Sequence, residues 1–347
     1  MDKKELLKKV GSMQQLAYVR EIEYKNGRSS GLKVFDVKND KLSFQCMIDK
    51  CLDINQLSYK GINFNFLSKP GLQGRNHYDT NGDEALRSIM GGMFFTAGFE
   101  NICPPYVKDN KNYPMHGRIR TTPCENITAD SYFDGDDYKI KISGEAREAE
   151  LFGENLVLRR SIETVFGDKK IILTDEVENQ NFRDEPFLVL YHINFGYPLL
   201  DEGTEIIIPA KSSKGREEHS EKHIDRYNIM DKAIDNENEY CFSHNPVVDD
   251  DGNVRVAIIN NNLSLGMKIT YNYNNLPYLL QWKSVASGDY VIAIEPANGY
   301  FGRAYEEENN KLFKLKSFEK IINKIEFEII DGQNEINNIK NEILNKK

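Results

Sequence analysis

The stretch Phe187-Leu-Val-Leu-Tyr-His-Ile-Asn-Phe-Gly-Tyr-Pro198 decides how the rest of this chain is interpreted. It is an apolar run of strand-forming residues, closed by a glycine and a proline that end a strand. Because side chains alternate along a strand, His192 and Asn194 lie on one face, and Tyr191 and Ile193 on the other. Two neighbouring polar groups on an otherwise apolar face suit the floor of a ligand pocket. The alternative is a core histidine that only satisfies a hydrogen bond.

Composition narrows the class of protein before any motif is considered. The 347 residues can form one large all-β domain or two ordinary ones, and the formal net charge of -9 argues against a nucleic-acid partner. No apolar run is long enough to span a membrane, and residues 1–11 lack the apolar core of a signal peptide. We therefore expect a cytoplasmic protein. Its five cysteines are expected to be reduced, buried thiols: Cys46, Cys51, Cys103, Cys124 and Cys241.

Many short segments with strand character follow one another along the chain, separated by Gly, Asn and Asp. This spacing predicts a large antiparallel β-sandwich rather than alternating βαβ units. Short helices are predicted only at the ends, over 1–11 and 333–347, and residues 211–235 are expected to form a surface loop or short helices. With no linker in between, residues 1–347 are predicted to be a single domain. The clearest strands are 42–48, 138–143, 156–165, 171–177, 205–208, 254–259, 265–271 and 324–329.

A second stretch that could carry catalytic residues is Tyr113-Pro-Met-His-Gly-Arg-Ile-Arg-Thr-Thr-Pro123. Proline and glycine bracket His116 on a non-helical segment, and Arg118 falls on the same side if the chain is extended there. The glycine-rich segment upstream allows close backbone approach, and it is preceded by Arg87 and closed by Asn101. A loop histidine bonded to a backbone carbonyl is the plain alternative.

The third stretch is Tyr290-Val-Ile-Ala-Ile-Glu-Pro-Ala-Asn-Gly299. A carboxylate at the end of so apolar a strand is costly to bury unless it is partnered, and burial would raise the pKa of Glu295 towards the range of a general base. An exposed, inert strand end is the alternative. Just upstream, Gln281 and the only tryptophan, Trp282, resemble a platform on which a sugar could stack.

The three stretches together supply two histidines and one glutamate at strand ends far apart in sequence. Such a set fits chemistry that moves two protons near neutral pH. The sequence has no HxH or HExxH spacing, no Walker loop and no Rossmann glycine pattern. We therefore expect neither a metal nor another cofactor.

These blocks resemble the aldose 1-epimerase (galactose mutarotase-like) family, and more narrowly a bacterial branch known only as a domain of unknown function. The resemblance runs over about 15–331 in the same order. Residues 91–98, 279–283 and 48–54 fit the same branch, although the branch usually has arginine where Lys50 stands. The blocks are Met115-His-Gly-Arg-Ile119, Leu190-Tyr-His-Ile-Asn-Phe-Gly-Tyr-Pro198 and Ile294-Glu-Pro-Ala-Asn298.

The resemblance implies a β-supersandwich and a proton-shuttle mechanism. Glu295 is implied as the base that takes the proton from the anomeric hydroxyl, and His192 as the acid that protonates the ring oxygen. His116 is implied as the partner that polarises the same region. The family's substrate arginine has no clear counterpart in this sequence, and Arg87 and Arg118 compete for its place. The expected sugar contacts are Arg118, Arg87, Asn194, Gln281, Trp282, Asn101, Lys50 and Asp53.

Three functions remain open on the sequence. The first is an aldose 1-epimerase acting on a free or mildly substituted sugar. The second is an epimerase of a phosphorylated or sulfonated sugar, with Arg118, Arg87 and Lys50 holding the anion. The third is a non-catalytic carbohydrate-binding protein. A glycoside hydrolase is disfavoured because it normally needs two facing carboxylates. The expected partner is a small-molecule sugar, and the chain is expected to be a monomer or homodimer.

Overall fold

The computed structural model describes residues 2–74 and 82–344, and antiparallel strands make up about half of these residues. In chain order the strands are β1 (Ala17–Glu23), β2 (Lys33–Asn39), β3 (Leu42–Met47), β4 (Asp53–Tyr59), β5 (Ile62–Asn63), β6 (Phe66–Leu67), β7 (Gly91–Gly92), β8 (Phe94–Phe99), β9 (Tyr106–Lys108), β10 (Lys111–Tyr113), β11 (Glu125–Asp134), β12 (Asp137–Ala149), β13 (Asn155–Val165), β14 (Lys170–Asn179), β15 (Glu185–Pro186), β16 (Leu188–Phe195), β17 (Glu205–Ile207), β18 (Ala210–Gly215), β19 (Tyr240–Pro246), β20 (Asn253–Asn260), β21 (Leu265–Asn272), β22 (Tyr278–Ala286), β23 (Asp289–Ala297), β24 (Lys314–Leu315) and β25 (Lys320–Asp331).

Three large sheets organise these strands. The first runs β1-β2-β3-β4-β5, the second β11-β12-β13-β14-β25-β21-β20-β17, and the third β18-β19-β22-β23-β16-β8. Short pairs, such as β9 with β10 and β15 with β24, join the connections between them. The prediction of a large antiparallel β-sandwich is confirmed.

The helices are short and lie mostly, but not only, at the ends of the chain. They are α1 (Lys3–Leu7), α2 (Glu218–Glu221), α3 (Arg303–Glu308) and α4 (Gln333–Leu344), with single 3₁₀ turns at Met13–Gln15, Gly27–Ser29, Gly82–Arg87, Ile119–Thr121 and Ile224–Arg226. The sequence missed α3, and the expected loop 211–235 begins inside the edge strand β18. The predicted terminal helices reached residues 1 and 345–347, which lie outside the described residues. The single domain over 1–347 stays a prediction.

Every helix in the described part of the chain is too short or too polar to cross a lipid bilayer. The longest, α4, instead packs an apolar stripe on the outer face of the eight-stranded sheet. Ile336 and Ile343 are buried there against Ile207, Ile259 and Ile330.

Side chains along β16 alternate between the core face and the open face of the third sheet, as the sequence predicts. Tyr191 stacks on Phe94 with ring centroids 5.7 Å apart, and Phe94 meets Phe327 of the eight-stranded sheet at 6.2 Å. The Tyr191 hydroxyl donates to Asp175 of that sheet at 2.9 Å. The core between the two sheets therefore fixes one face of β16, and His192 is left on the other.

A buried arginine ties the three sheets together. Arg160 of β13 donates to both carboxylate oxygens of Asp175 at 2.7 Å, to Asp53 of the first sheet at 2.6 Å, and to Thr96 of the third sheet at 2.7 Å. The side chain of Arg160 has no solvent exposure. A charge taken this far from water is retained only because these oxygens compensate it.

Candidate active site

A cavity of about 460 Å³ opens on the free face of the six-stranded sheet, within the size range of small-molecule sites. Its floor comes from neighbouring strands β8, β16, β23 and β22, and its rim from β19 and the connections after β18 and β23. Described residues that line it include Phe95, His116, His192, Asn194, Arg216, Glu239, Ser243, Trp282, Glu295 and Tyr300. The cavity is large enough for one sugar ring.

The two residues implied as acid and base meet at the floor of this cavity. Pairing of β16 with β23 sets Ile193 opposite Ile294, so the next residues, His192 and Glu295, come side by side on the open face. The Nε2 atom of His192 lies 3.1 Å from Oε1 of Glu295, and both side chains are 8% exposed. Residues more than a hundred positions apart thus form one buried acid–base pair.

Asn194 fixes the tautomer of His192. The Nδ2 group of Asn194 donates to the carbonyl oxygens of Gly92 at 3.2 Å and His192 at 3.1 Å, so Oδ1 is its acceptor atom. That Oδ1 atom lies 2.6 Å from Nδ1 of His192, which must therefore carry a proton. In the neutral ring, Nε2 then carries no proton, and its lone pair faces Glu295.

Burial drives the pKa values of the pair in opposite directions. It raises the pKa of Glu295 to about 8, with the positive charge of Arg216 opposing the rise, and it lowers the pKa of His192 to about 3. Near neutral pH the pair therefore holds one proton, on Glu295, where it can bond to Nε2. Passing that proton to His192 yields a carboxylate beside an imidazolium without any proton entering from water.

His116 is held beside the pair by its own backbone. Its carbonyl oxygen accepts from Gly98 N–H at 3.1 Å, its N–H donates to the Cys103 carbonyl at 3.1 Å, and its Nδ1 accepts from Cys103 N–H at 3.3 Å. A glycine must follow, because a Cβ on Gly117 (φ +67°) would lie 2.0 Å from the Gly98 oxygen. With Nδ1 accepting, Nε2 of His116 carries the proton.

The two histidine rings share a third ring, that of Phe95. Phe95 stacks on His192 with centroids 4.3 Å apart and meets His116 edge-on at 5.7 Å, and the two imidazoles are 5.5 Å apart. Burial, and then the charge of His192, lower the pKa of His116 well below its usual range. His116 is therefore a neutral hydrogen-bond donor, suited to polarising an oxygen rather than giving up a proton.

Trp282 and Gln281 both contribute to the cavity wall, but in different ways. The indole of Trp282 is 5.7 Å from the ring of His192, and its Nε1 donates to Glu239 at 2.7 Å. The side chain of Gln281 is engaged by the protein, because its Nε2 donates to the Tyr227 carbonyl at 2.7 Å and its Oε1 lies 2.9 Å from Nε2 of His244. Gln281 thus supports the wall more than it offers free hydrogen bonds.

Neither arginine expected at the sugar is among the described residues that line the cavity. Arg118 instead forms an ion pair with the buried carboxylate of Glu100 and donates to the Asn112 carbonyl at 3.2 Å. Arg87 is an exposed residue at the end of a 3₁₀ turn. Spacing along an assumed extended strand could not anticipate that Arg118 turns away, since residues 119–121 form a 3₁₀ turn.

The other three expected contacts also lie outside the cavity lining. Asn101 is buried and donates to the Pro104 and Pro114 carbonyls at 2.9 and 3.0 Å, which braces the loop that carries His116. Asp53 belongs to the Arg160 cluster. Lys50 is buried and, with Asp53, borders a separate hollow of about 20 Å³, too small for a sugar.

Several cavity residues were missed by the sequence interpretation. Arg216 comes from the segment interpreted as a charged surface loop, and Glu239 precedes β19. Phe95 lies within the glycine-rich stretch and could have been found there, because it sits opposite His192 in the pairing of β8 with β16. For Arg216 and Glu239 the sequence carries no such signal.

Solved structures with the same architecture place this fold among known proteins. A proposed aldose 1-epimerase from Klebsiella pneumoniae subsp. pneumoniae MGH 78578 aligns over 95% of this chain and 89% of its own, with a TM-score of 0.89 at 20% identity. A galactose mutarotase-like protein from Clostridium acetobutylicum aligns over 91% and 99%, with a TM-score of 0.65 at 15% identity. At such identities the likeness defines the fold and leaves the activity open.

The chain has the galactose mutarotase-like fold. Within that class, the chain belongs to the family of the domain of unknown function DUF4432, whose model matches residues 29–329. The resemblance drawn from the three sequence blocks is thereby confirmed. Comparison with curated proteins gives no significant match.

Proposed function

We propose that this protein is an aldose 1-epimerase, which interconverts the α and β anomers of a sugar by opening and closing its ring. The observation that carries the proposal is the contact of 3.1 Å between His192 Nε2 and Glu295 Oε1 on the floor of a sugar-sized cavity. One group of the pair can accept a proton while the other donates one, and this reaction needs both.

The first step is redistribution of the proton within the pair. Transfer from Glu295 to His192 gives a carboxylate and an imidazolium. The carboxylate takes the proton of the anomeric hydroxyl, and the imidazolium protonates the ring oxygen. The bond between C1 and the ring oxygen breaks, and its electron pair stays on that oxygen. The product is the open-chain aldehyde. Glu295 now carries the proton taken from the anomeric hydroxyl, and His192 is neutral again.

Reclosure runs the same transfers in reverse. Rotation about the C1–C2 bond presents the other face of the carbonyl to the ring hydroxyl. His192 takes the proton of that hydroxyl as it attacks C1, and Glu295 returns a proton to the new anomeric oxygen. His116 supports both directions by donating its Nε2 proton to substrate oxygen, a role for which its neutral state suits it.

Exchange spectroscopy on a panel of aldoses tests this proposal. Anomer exchange by wild-type protein should exceed the buffer rate, and Glu295→Gln and His192→Ala should lower the protein-catalysed rate about 10²–10⁴-fold. Sugar binding to Glu295→Gln should stay within about threefold of wild type, since the amide keeps the shape of the carboxyl group. Glu163→Gln, on the eight-stranded sheet and paired with Lys141, is the matched control and should leave exchange unchanged.

The same experiment separates the enzyme from a non-catalytic sugar-binding protein. Saturable sugar binding without faster anomer exchange would favour the binding protein and overturn the proposal. The alternative function, epimerisation of a phosphorylated or sulfonated sugar, loses the support expected for it. The basic residues expected to hold the anion are not among the described residues that line the cavity: Arg118, Arg87 and Lys50.

A further inference from the structure

Arg216 stands at the rim of the cavity in a fixed position. Its backbone N–H donates to the Cys241 carbonyl at 2.8 Å, which ties it to β19. The preceding Gly215 packs against the backbone of α2 so closely that a Cβ there would lie 2.1 Å from the Glu221 nitrogen. The guanidinium carbon lies 3.6 Å from the centre of the Phe301 ring, a stacking distance. Backbone and ring thus hold the guanidinium in one place.

The Nε–H group of the Arg216 side chain has no hydrogen-bond partner in the described part of the protein. The Nε atom is buried, and the side chain as a whole is 23% exposed. The nearest ionic partner is Glu217, whose carboxylate is 3.7 Å from Nε and 61% exposed. That distance is too long for a hydrogen bond. A fixed guanidinium with an unmatched buried N–H at a cavity wall calls for an oxygen from a ligand.

The surroundings of Arg216 indicate the kind of oxygen. Glu239 also lines the cavity, next to the indole of Trp282. Arg216 directly follows β18 and Glu239 directly precedes the neighbouring strand β19. Both residues line the cavity, so a donor and an acceptor face the same space beside an aromatic surface. Neighbouring hydroxyl groups on a sugar ring both accept and donate, and they match such a set.

We propose that Arg216 is a specificity-determining residue that donates hydrogen bonds to ring hydroxyl oxygens of the bound sugar, with Glu239 as the acceptor beside it. This inference rests on the proposed function, because it takes the cavity as the sugar site. It assigns to Arg216 the contact that the sequence had divided between Arg118 and Arg87.

Direct binding tests the assignment without depending on catalysis. The parent is Glu295→Gln, titrated with D-glucose, D-galactose, D-xylose and L-arabinose while the fluorescence of Trp282, the single tryptophan, is followed. Adding Arg216→Met should raise the dissociation constant of the best-binding sugar roughly tenfold or more, as expected when a charge-assisted hydrogen bond is lost. Arg216→Lys should recover part of the affinity, because the charge stays but the planar fork is lost.

Arg20→Met is the matched control, since Arg20 lies 3.9 Å over the Tyr18 ring on the first sheet, away from the cavity lining. Its dissociation constant should stay within about twofold of the parent. If the parent binds a sugar and Arg216→Met binds it within twofold, the assignment of Arg216 is wrong while the proposed function stands. If the parent binds no sugar in the panel, the proposed function fails and the assignment fails with it.

A pH profile gives a second readout that a merely structural arginine would not move. With Glu295 intact, Arg216→Met removes the positive charge that opposes the rise in pKa of that carboxyl group. The alkaline limit of anomer exchange should therefore move to higher pH. An unchanged limit would contradict a place for Arg216 beside the reacting groups.

Discussion

Glu295→Gln should inactivate the protein and at the same time stabilise it, by an amount that depends on pH. Burial raises the pKa of Glu295 from its ordinary value of 4.5 to about 8. The folded chain therefore keeps a proton that the unfolded chain releases between those two pH values. Because the folded state binds more protons in this window, the free energy of unfolding falls as pH rises from about 4.5 to about 8.

The size of the effect follows from the same two values. One pKa unit is worth about 1.4 kcal/mol. Keeping this proton in the folded state therefore lowers the free energy of unfolding by about 3 kcal/mol at pH 7 and about 5 kcal/mol above pH 8. Glutamine fills the same space, can donate to Nε2 of His192, and does not ionise. The variant should thus be more stable than wild type by about 3 kcal/mol at pH 7, and nearly equal to it at pH 4.5.

Urea unfolding of both proteins at pH 4.5, 7 and 8.5, followed by circular dichroism, measures this difference. Glu163→Gln serves as the control, because it makes the same substitution at a partly exposed carboxylate, which is paired with Lys141. A stability difference that stays constant across the three pH values, or a variant less stable than wild type at pH 8.5, would refute the buried, protonated state assigned to Glu295.

Three further predictions concern the proton inventory, the tautomer and the sheet junction. Anomer exchange should fall above about pH 8, where Glu295 loses the proton of the pair, and should persist in acid until His192 gains a second proton near pH 3; exchange spectroscopy between about pH 2 and pH 10 checks both limits. Asn194→Leu removes the acceptor for Nδ1 of His192 and should lower the exchange rate roughly tenfold, with sugar affinity nearly unchanged in fluorescence titration; a loss of affinity alone would contradict the tautomer argument. Arg160→Met leaves Asp53 and Asp175 buried without their partner and should cost about 3–5 kcal/mol in urea unfolding, whereas a loss below about 1 kcal/mol would contradict its role as the junction of three sheets.

Strand assignment is the part of the fold that could be predicted from local sequence. Period-2 alternation marked β3 of the first sheet and strands of the eight-stranded sheet, and the same rule set His192 and Asn194 on one face of β16 with Tyr191 on the other. These are short-range properties, because each residue's face depends only on its position along the strand.

The sequence by itself determined the sheet architecture, the family and the three residues proposed to move or polarise protons. Only the tertiary structure decided which polar side chains surround them. Arg118 and Asp53 have the right chemistry for a sugar, but Glu100 and Arg160 bind them first. Arg216 reaches the cavity from a stretch without pattern. A charged side chain pairs with whatever opposite charge folding brings near, and that neighbour comes from distant strands that no local periodicity encodes.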